Sequence, residues 1–216
     1  MLISEIMSRK PVIIQKDMPV SDALDLMREK KVHRLPVVDQ DGTLVGIVSE
    51  GDLLYASPSP ATSLSVWEIH SLLAKLTVEK VMTREVITVS EETPIEKAAQ
   101  IMVEKKVGGL PVLRKTALVG IVTETDLFKV FVSMLGGYRP GVRASALISG
   151  EKGTFAKITS AIFNAGGDIV GLGFNEVSNA PVEDWEMTIK VRYLDRDKLA
   201  DVLKPVVKQI KDIRTM

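Results

Sequence analysis

Gly46-Ile47-Val48-Ser49-Glu50-Gly51-Asp52 decides how this chain is read, because it returns as Gly120-Ile121-Val122-Thr123-Glu124-Thr125-Asp126. Each copy is a short apolar run that turns into a helix, with a hydroxyl residue at the turn and an aspartate three positions on. One reading is a helix capping box, in which the Ser or Thr oxygen and the acid at N3 satisfy orphan backbone donors. The other is a nucleotide site, with phosphate near a helix N-terminus and a carboxylate on a ribose diol. A cap needs the hydroxyl and the acid, but neither the glycine nor a repetition of its surroundings. The surroundings therefore carry the decision.

They repeat. Residues 6–41 align with 81–116 at a constant offset of 75, and after one residue drops out of the next turn, 44–54 align with 118–128 at 74. Identical pairs include Met7/Met82, Arg9/Arg84, Pro19/Pro94, Leu35/Leu110 and Pro36/Pro111, and Glu29-Lys30-Lys31-Val32 returns intact as Glu104-Lys105-Lys106-Val107. Within each copy, the β-branched runs Val12-Ile13-Ile14 and Val86-Ile87-Thr88-Val89 predict a strand. A helix follows, opened by Pro19 or Pro94, a residue favoured in the first helical turn. In the second copy Thr93 and Glu96 predict a capping box. Val20, Ala23, Leu24 and Met27, like Ile95, Ala98, Ala99 and Met102, fall at the i, i+3, i+4, i+7 spacing of one buried face. Both helices end in paired lysines, which complement the carbonyl end of the dipole. Two strands joined by Asp39-Gln40-Asp41-Gly42, then a helix from Ser49 or Thr123, complete a β-α-β-β-α unit. One such unit is too small to bury its sheet; two packed together bury both.

Between the copies, Ser57-Pro58-Ser59-Pro60 reads as a stiff connector. Ser65-Val66-Trp67-Glu68 then opens an inserted helix, 65–76, with an apolar stripe of Ile69, Leu72, Leu73 and Leu76. Beyond the linker Gly136-Gly137-Tyr138-Arg139-Pro140-Gly141 the pattern changes. Ala144–Ser149 predicts a strand, and Phe155, Ile158 and Ile162 one face of a helix stopped by Gly166-Gly167. Ile169–Asn175 is a glycine-rich strand. Trp185, Met187, Ile189, Val191 and Tyr193 alternate with Glu186, Thr188, Lys190 and Arg192 as a half-buried strand. A helix through Leu199 and Leu203 must end or kink at Pro205, and Ile210–Thr215 forms a closing strand. That is β-α-β-β-α-β, the ferredoxin-like order. The expected class is α+β, with repeats at 1–78 and 79–135, a linker at 136–141 and a third domain at 142–216.

Composition narrows the function classes. Lys+Arg and Asp+Glu both number 28 in 216 residues, so there is no basic field for nucleic acid or an anionic membrane. The absence of cysteine excludes disulfides, thiol catalysis and thiolate metal sites, and suits a reducing cytosol. The N-terminus lacks the pattern of a signal peptide, and no apolar run approaches a bilayer span. A cytoplasmic protein is expected. The two histidines, His33 and His70, have no metal-ligand spacing, no nucleophile-and-base pair stands out, and there is no P-loop. The expectation is therefore no enzyme, no catalytic residue, no metal site and no required cofactor.

The two copies resemble CBS domains, tandem modules named after cystathionine β-synthase and paired as Bateman modules. The resemblance rests on Met7-Ser8 and Met82-Thr83, on Leu35-Pro36-Val37 and Leu110-Pro111-Val112, and on the Gly-to-Asp motif, all in the family's order. It implies a pseudo-symmetric pair with an adenine nucleotide or adenosyl ligand in the cleft: AMP, ADP, ATP or S-adenosylmethionine. By that motif, which opens at Gly46 and Gly120, Asp52 and Asp126 hold the ribose hydroxyls, and Ser49 and Thr123 lie near ribose or phosphate. His33-Arg34 matches a position whose basic side chains reach phosphate, a task suited to the planar fork of Arg. The second copy has Gly108-Gly109 there, so Ser49 with His33-Arg34 and Thr123 with Gly108-Gly109 form two sites expected not to bind alike. The third unit resembles an ACT domain, whose first loop here reads Gly150-Glu151-Lys152-Gly153. The order CBS-CBS-ACT is similar to bacterial acetoin-utilisation accessory proteins. Together these imply a homodimeric regulator acting on an unidentified target enzyme. The alternatives are an interaction scaffold, or an amino-acid sensor acting through that loop.

Overall fold

The computed structural model describes residues 1–56, 76–176 and 184–216. The Ser57–Pro60 connector and nearly all of the inserted helix lie outside the described residues. The chain divides into two compact units, Met1–Leu127 and Phe128–Met216.

In the first unit the repeat is visible element by element. The first copy runs α1 (Ile3–Ile6), β1 (Ser8–Arg9), β2 (Ile14–Gln15), α2 (Val20–Lys30), β3 (Arg34–Val38), β4 (Leu44–Ser49) and α3 (Glu50–Tyr55). The second runs from a 3-10 turn (Val78–Lys80) through β5 (Val89–Ser90), α4 (Ile95–Lys105), β6 (Gly109–Arg114) and β7 (Ala117–Thr123) to the start of α5 (Glu124–Met134), whose residues from Phe128 on belong to the second unit. The sheets are β2-β3-β4 and β1-β7-β6-β5. Val20, Ala23, Leu24 and Met27 in one copy and Ala98 and Met102 in the other are buried as expected, whereas Ile95 and Ala99 are only partly buried.

The opening segments are exchanged. β1 belongs by sequence to the first copy, yet it pairs antiparallel with β7 of the second, Ser8 opposite Ile121 and Arg9 opposite Gly120. The mirror pairing joins Ile47 to Thr83 through two backbone hydrogen bonds of 3.0 and 2.9 Å. Ile3 and Met7 are buried in the second copy's core, and Val78 and Met82 in the first copy's. Gly46 and Gly120 permit this. A Cβ on Gly46 would stand 2.5 Å from the Met82 sulfur, and one on Gly120 2.6 Å from the Met7 sulfur.

The exchange also corrects the expected helix starts. Pro19 and Pro94 stand at the cap with extended ψ, and neither helix has a side-chain cap. The Thr93 hydroxyl accepts from Ser90 N at 3.1 Å rather than serving a box with Glu96. The first-turn donors go to the other copy's exchanged segment: Val20 N donates to Leu76 O at 2.8 Å and Ile95 N to Met1 O at 3.3 Å. Backbone already fills the role that a capping side chain plays elsewhere.

The second unit has the expected β-α-β-β-α-β order: β8 (Val142–Ser149), α6 (Thr154–Asn164), β9 (Asp168–Glu176), β10 (Asp184–Arg192), α7 (Arg196–Leu203) and β11 (Gln209–Thr215). Its antiparallel sheet runs β11-β8-β10-β9. α6 ends as predicted, with Gly166 at φ 85° and Gly167 N donating to Ile162 O at 2.9 Å. α7 stops two residues before Pro205. Two positions depart from simple alternation. Lys190, expected on the wet face, is only 3% exposed, and Tyr193, expected inside, is 75% exposed. The register slips between Lys190 and Val191, and Tyr193 takes a left-handed backbone, φ 67°, so the alternation ends there.

Candidate functional site

The turn from β4 to α3 is built as a cap. Ser49 Oγ accepts from Asp52 N at 3.2 Å, while Asp52 Oδ2 accepts from Ser49 N at 2.8 Å and from Ser49 Oγ at 2.6 Å. The second copy repeats it: Asp126 Oδ2 accepts from Thr123 N at 3.0 Å and from Thr123 Oγ1 at 2.8 Å. At Asp52 all of these bonds fall on Oδ2. Among the described residues no hydrogen bond falls on the other carboxylate oxygen, so the cap leaves Oδ1 uncommitted.

The Asp52 turn opens on a cavity of about 270 Å³ between the two copies. Its floor is Ile47, Ser49 and Asp52 from the first copy. Its far wall is Thr83, Glu85, Val86 and Ile87, followed by Lys106, Val107, Gly108 and Gly109, all from the second. Arg34 reaches in from the first. The volume lies close to the lower end of ligand clefts, about 300 Å³. A larger hollow of about 520 Å³ lined by Ile13–Gln15, Asp17–Pro19, Asp22 and Val38 has two acids and no cation in its lining, which suits it poorly to a phosphate.

Gly108 and Gly109 explain the course of Arg34. A Cβ on Gly108 would collide with the Arg34 guanidinium and stand 2.7 Å from a Glu124 carboxylate oxygen. A Cβ on Gly109 would stand 3.2 Å from Arg34 Cδ. The two glycines leave the groove in which this long cation lies. Arg34 lines the same cavity as Ser49, Asp52, Lys106 and Glu85.

This placement corrects the grouping by sequence order. Ser49 and Asp52 share their cleft with Gly108-Gly109 and Arg34, and His33 does not line it. His33 points to solvent, 79% exposed, with Nδ1 2.8 Å from Glu50 Oε2. The reason is the exchange, which makes this cleft from the floor of one copy and the wall of the other. Gly46 lies beneath Met82 rather than on the cavity wall, and Gly120 packs in the same way on Met7. Glu85, Val86, Ile87 and Lys106 were not foreseen. The signal was present in the repeat, since Lys106 matches Lys31, but the cross-copy pairing that gives it meaning was not. Among the described residues, no group of three His, Asp or Glu stands ready for a metal ion, and no helix is long and apolar enough to cross a membrane.

Comparison with known proteins agrees with this geometry. The CBS domain pair of protein MJ0100, solved with 5′-methylthioadenosine and S-adenosyl-L-methionine, is 29% identical, with a TM-score of 0.52, over 64% of this chain and 98% of that one. A Vibrio cholerae protein provisionally described as an acetoin utilization protein (AcuB) is 30% identical, TM-score 0.53, over 63% of this chain and 93% of that one. CBSX2 of Arabidopsis thaliana, solved with AMP, is 30% identical, TM-score 0.50, over 61% and 96%. The family model of the CBS domain matches residues 3–59 and again 78–133. With more than half of its length so matched, and its two copies folded as one exchanged pair, the chain belongs to the CBS-domain family.

Proposed function

We propose that the protein is a non-catalytic, cytoplasmic regulator that binds an adenine nucleotide or adenosyl ligand between its two repeats. The observation that carries this is the cavity uniting Asp52, Ser49, Arg34 and Lys106. An uncommitted carboxylate oxygen for a ribose diol stands there with two cations for phosphate. Asp126 and Thr123 repeat the turn geometry for a second ligand. The adenosyl ligands and AMP held by the relatives above support the same class of ligand. Binding acts as a switch to the extent that the ligand prefers one packing of the repeats over another. The Vibrio relative favours a role in acetoin utilisation, exerted on a target enzyme. Leu54 and Tyr55 on α3 are exposed apolar residues that suit a homodimer.

A thermal-shift panel of AMP, ADP, ATP, NAD and S-adenosylmethionine tests the reading. A ligand at 100 times its Kd stabilises the folded state by about 2.7 kcal/mol. No shift with any of the five favours a scaffold instead.

The ferredoxin-like second unit supports the ACT resemblance, and one observation favours an amino-acid ligand there. A hollow of about 280 Å³ beside Gly150, Glu151 and Thr154 is walled by Phe155, Phe174 and Trp185. Phe155 and Phe174 meet edge to face at 5.4 Å. The same panel extended to small and branched amino acids tests this reading.

A further inference from the structure

The sheet of the second unit has two unlike faces. One buries Ala146, Met187 and Ile189 with Ile162 of α6 and Leu203 of α7. Side chains alternate along a strand, so the other face carries the residues between these. Register sets them in two rows across β10, β8 and β11: Lys190 opposite Arg143 opposite Arg214, then Thr188 opposite Ser145 opposite Asp212. Like charges directly opposite one another are destabilising, and the first row holds three. Asp212 answers two of them, accepting from Arg214 Nε at 2.9 Å and from Arg143 Nη1 at 3.1 Å. The other cations on or beside these strands have acids of their own, Arg192 with Asp168, Lys211 with Glu186 and Lys208 with Asp184.

Lys190 has none. It is only 3% exposed, yet among the described residues it makes no hydrogen bond or ion pair. Its stem is sheltered by the chain leaving α5, where a Cβ on Gly136 would stand 3.3 Å from Lys190 Cδ. Two residues along the same strand, Arg192 Nε is enclosed and also without a partner. A charge held out of water needs a counter-charge, and with Arg143 and Arg214 sharing one acid this face is short of two. We propose that the face binds a phosphate group between Lys190 and Arg143, with the Ser145 and Thr188 hydroxyls as further donors. Adjacent strands lie about 4.8 Å apart, so one phosphate spans both cations. The hydroxyls stand 3.2 Å from each other, and Arg143 Nη2 lies 3.4 Å from Thr188 Oγ1, which turns the guanidinium along the hydroxyl row. A carboxylate matches one of the two charges, whereas a phosphate monoester carries about −1.5 to −2 at pH 7. A second copy of the same face brings the same row of cations and adds to the repulsion, so the occupant is an external anion. The site lies wholly in the second unit and does not rest on the nucleotide reading of the first.

Calorimetric titration of the full chain with inorganic phosphate, at ionic strength held constant with sodium chloride, tests this. Lys190→Met keeps the apolar stem and removes the charge, and should weaken phosphate about tenfold, a change of roughly 1.4 kcal/mol. Arg143→Gln should weaken it by a similar factor, and carries the test alone if Lys190→Met does not fold. Acetate should bind wild type more weakly than phosphate. In NMR spectra of wild type, the amides of Ser145, Thr188 and Lys190 should shift as phosphate is added, and stay still in Arg143→Gln. No binding of phosphate by wild type, undiminished binding in the variants, or acetate as tight as phosphate overturns the proposal. Neither variant touches Asp52 or Asp126, so these outcomes leave the nucleotide reading where it stands.

Discussion

The two repeats of the first unit share a backbone and differ in their side-chain ledges. Where they meet each other they are alike: Met7 and Met82 pack under Gly120 and Gly46, and Asp52 and Asp126 accept from the same turn atoms. Away from that seam they diverge. The first copy turns from β3 to β4 through Asp39, whose Oδ1 accepts from Asp41 N at 3.0 Å and Thr43 N at 2.8 Å, with Gly42 at φ 80°. The second copy turns in one residue fewer, with Lys115 at φ 56°, and its Arg114, the counterpart of Asp39, binds Glu91 instead. The lesson is that a local twofold constrains residues at the seam, where each copy completes the other. It leaves the cleft walls free to specialise.

Breaking the seam should produce the largest effect. Met7→Ala and Met82→Ala each remove a buried side chain from the opposite copy's core, at about 3 kcal/mol by chemical denaturation. Hydrogen exchange sharpens the comparison: Met7→Ala should loosen β6 and β7 first, and Met82→Ala β3 and β4. Loosening in the mutated residue's own copy contradicts the exchange.

Next come the motif acids. Asp52→Ala and Asp126→Ala should each weaken ligand binding by roughly 1.5–3 kcal/mol, the value of a charged hydrogen bond. Each should lower apo stability by about 1 kcal/mol, the value of a cap. Equal affinity in wild type and variants by calorimetry rules out the ribose role. Ser49→Ala isolates the smaller term, and its cost should stay near about 1 kcal/mol in unfolding curves.

The smallest effect is confined to the second copy. The Arg114 guanidinium, hydrogen-bonded to Glu91, holds that carboxyl below the usual carboxylate range. Because the folded value lies under the unfolded one, this contribution is present above the unfolded value and is lost as pH falls through the folded value. Both groups meet solvent, so the stability change is slight. Carboxyl NMR should show Glu91 titrating at higher pH in Arg114→Ala. The first copy, with Lys16 in the place of Glu91, has no counterpart.

Much of this was legible in the chain. The apolar stripes of α2 and α4, the Gly166-Gly167 stop and the halt before Pro205 follow from local spacing and backbone chemistry, which act over a few residues. The cap at Ser49 and Asp52 was legible for the same reason. The wall of the cleft was not. Glu85 and Lys106 stand opposite Asp52 only because the second copy's opening segment crosses to the first, and neither hydropathy nor periodicity encodes which copy a strand will join. The Thr93 capping box failed on the same ground, since the donors it was to satisfy were taken by backbone from the other copy.

By itself, then, the sequence determined that there are two equivalent α+β units, a third of ferredoxin-like order, and a hydroxyl–aspartate turn repeated at Ser49 and Thr123. Those are matters of period, turn chemistry and self-similarity. Only the tertiary structure decided that the openings are exchanged, that Gly46 and Gly120 serve the packing of methionines, and that Arg34 rather than His33 enters the Asp52 cleft. The reason is physical. A side chain's partner across an interface is chosen by how two surfaces fit, and that fit exists only once both copies have folded against each other.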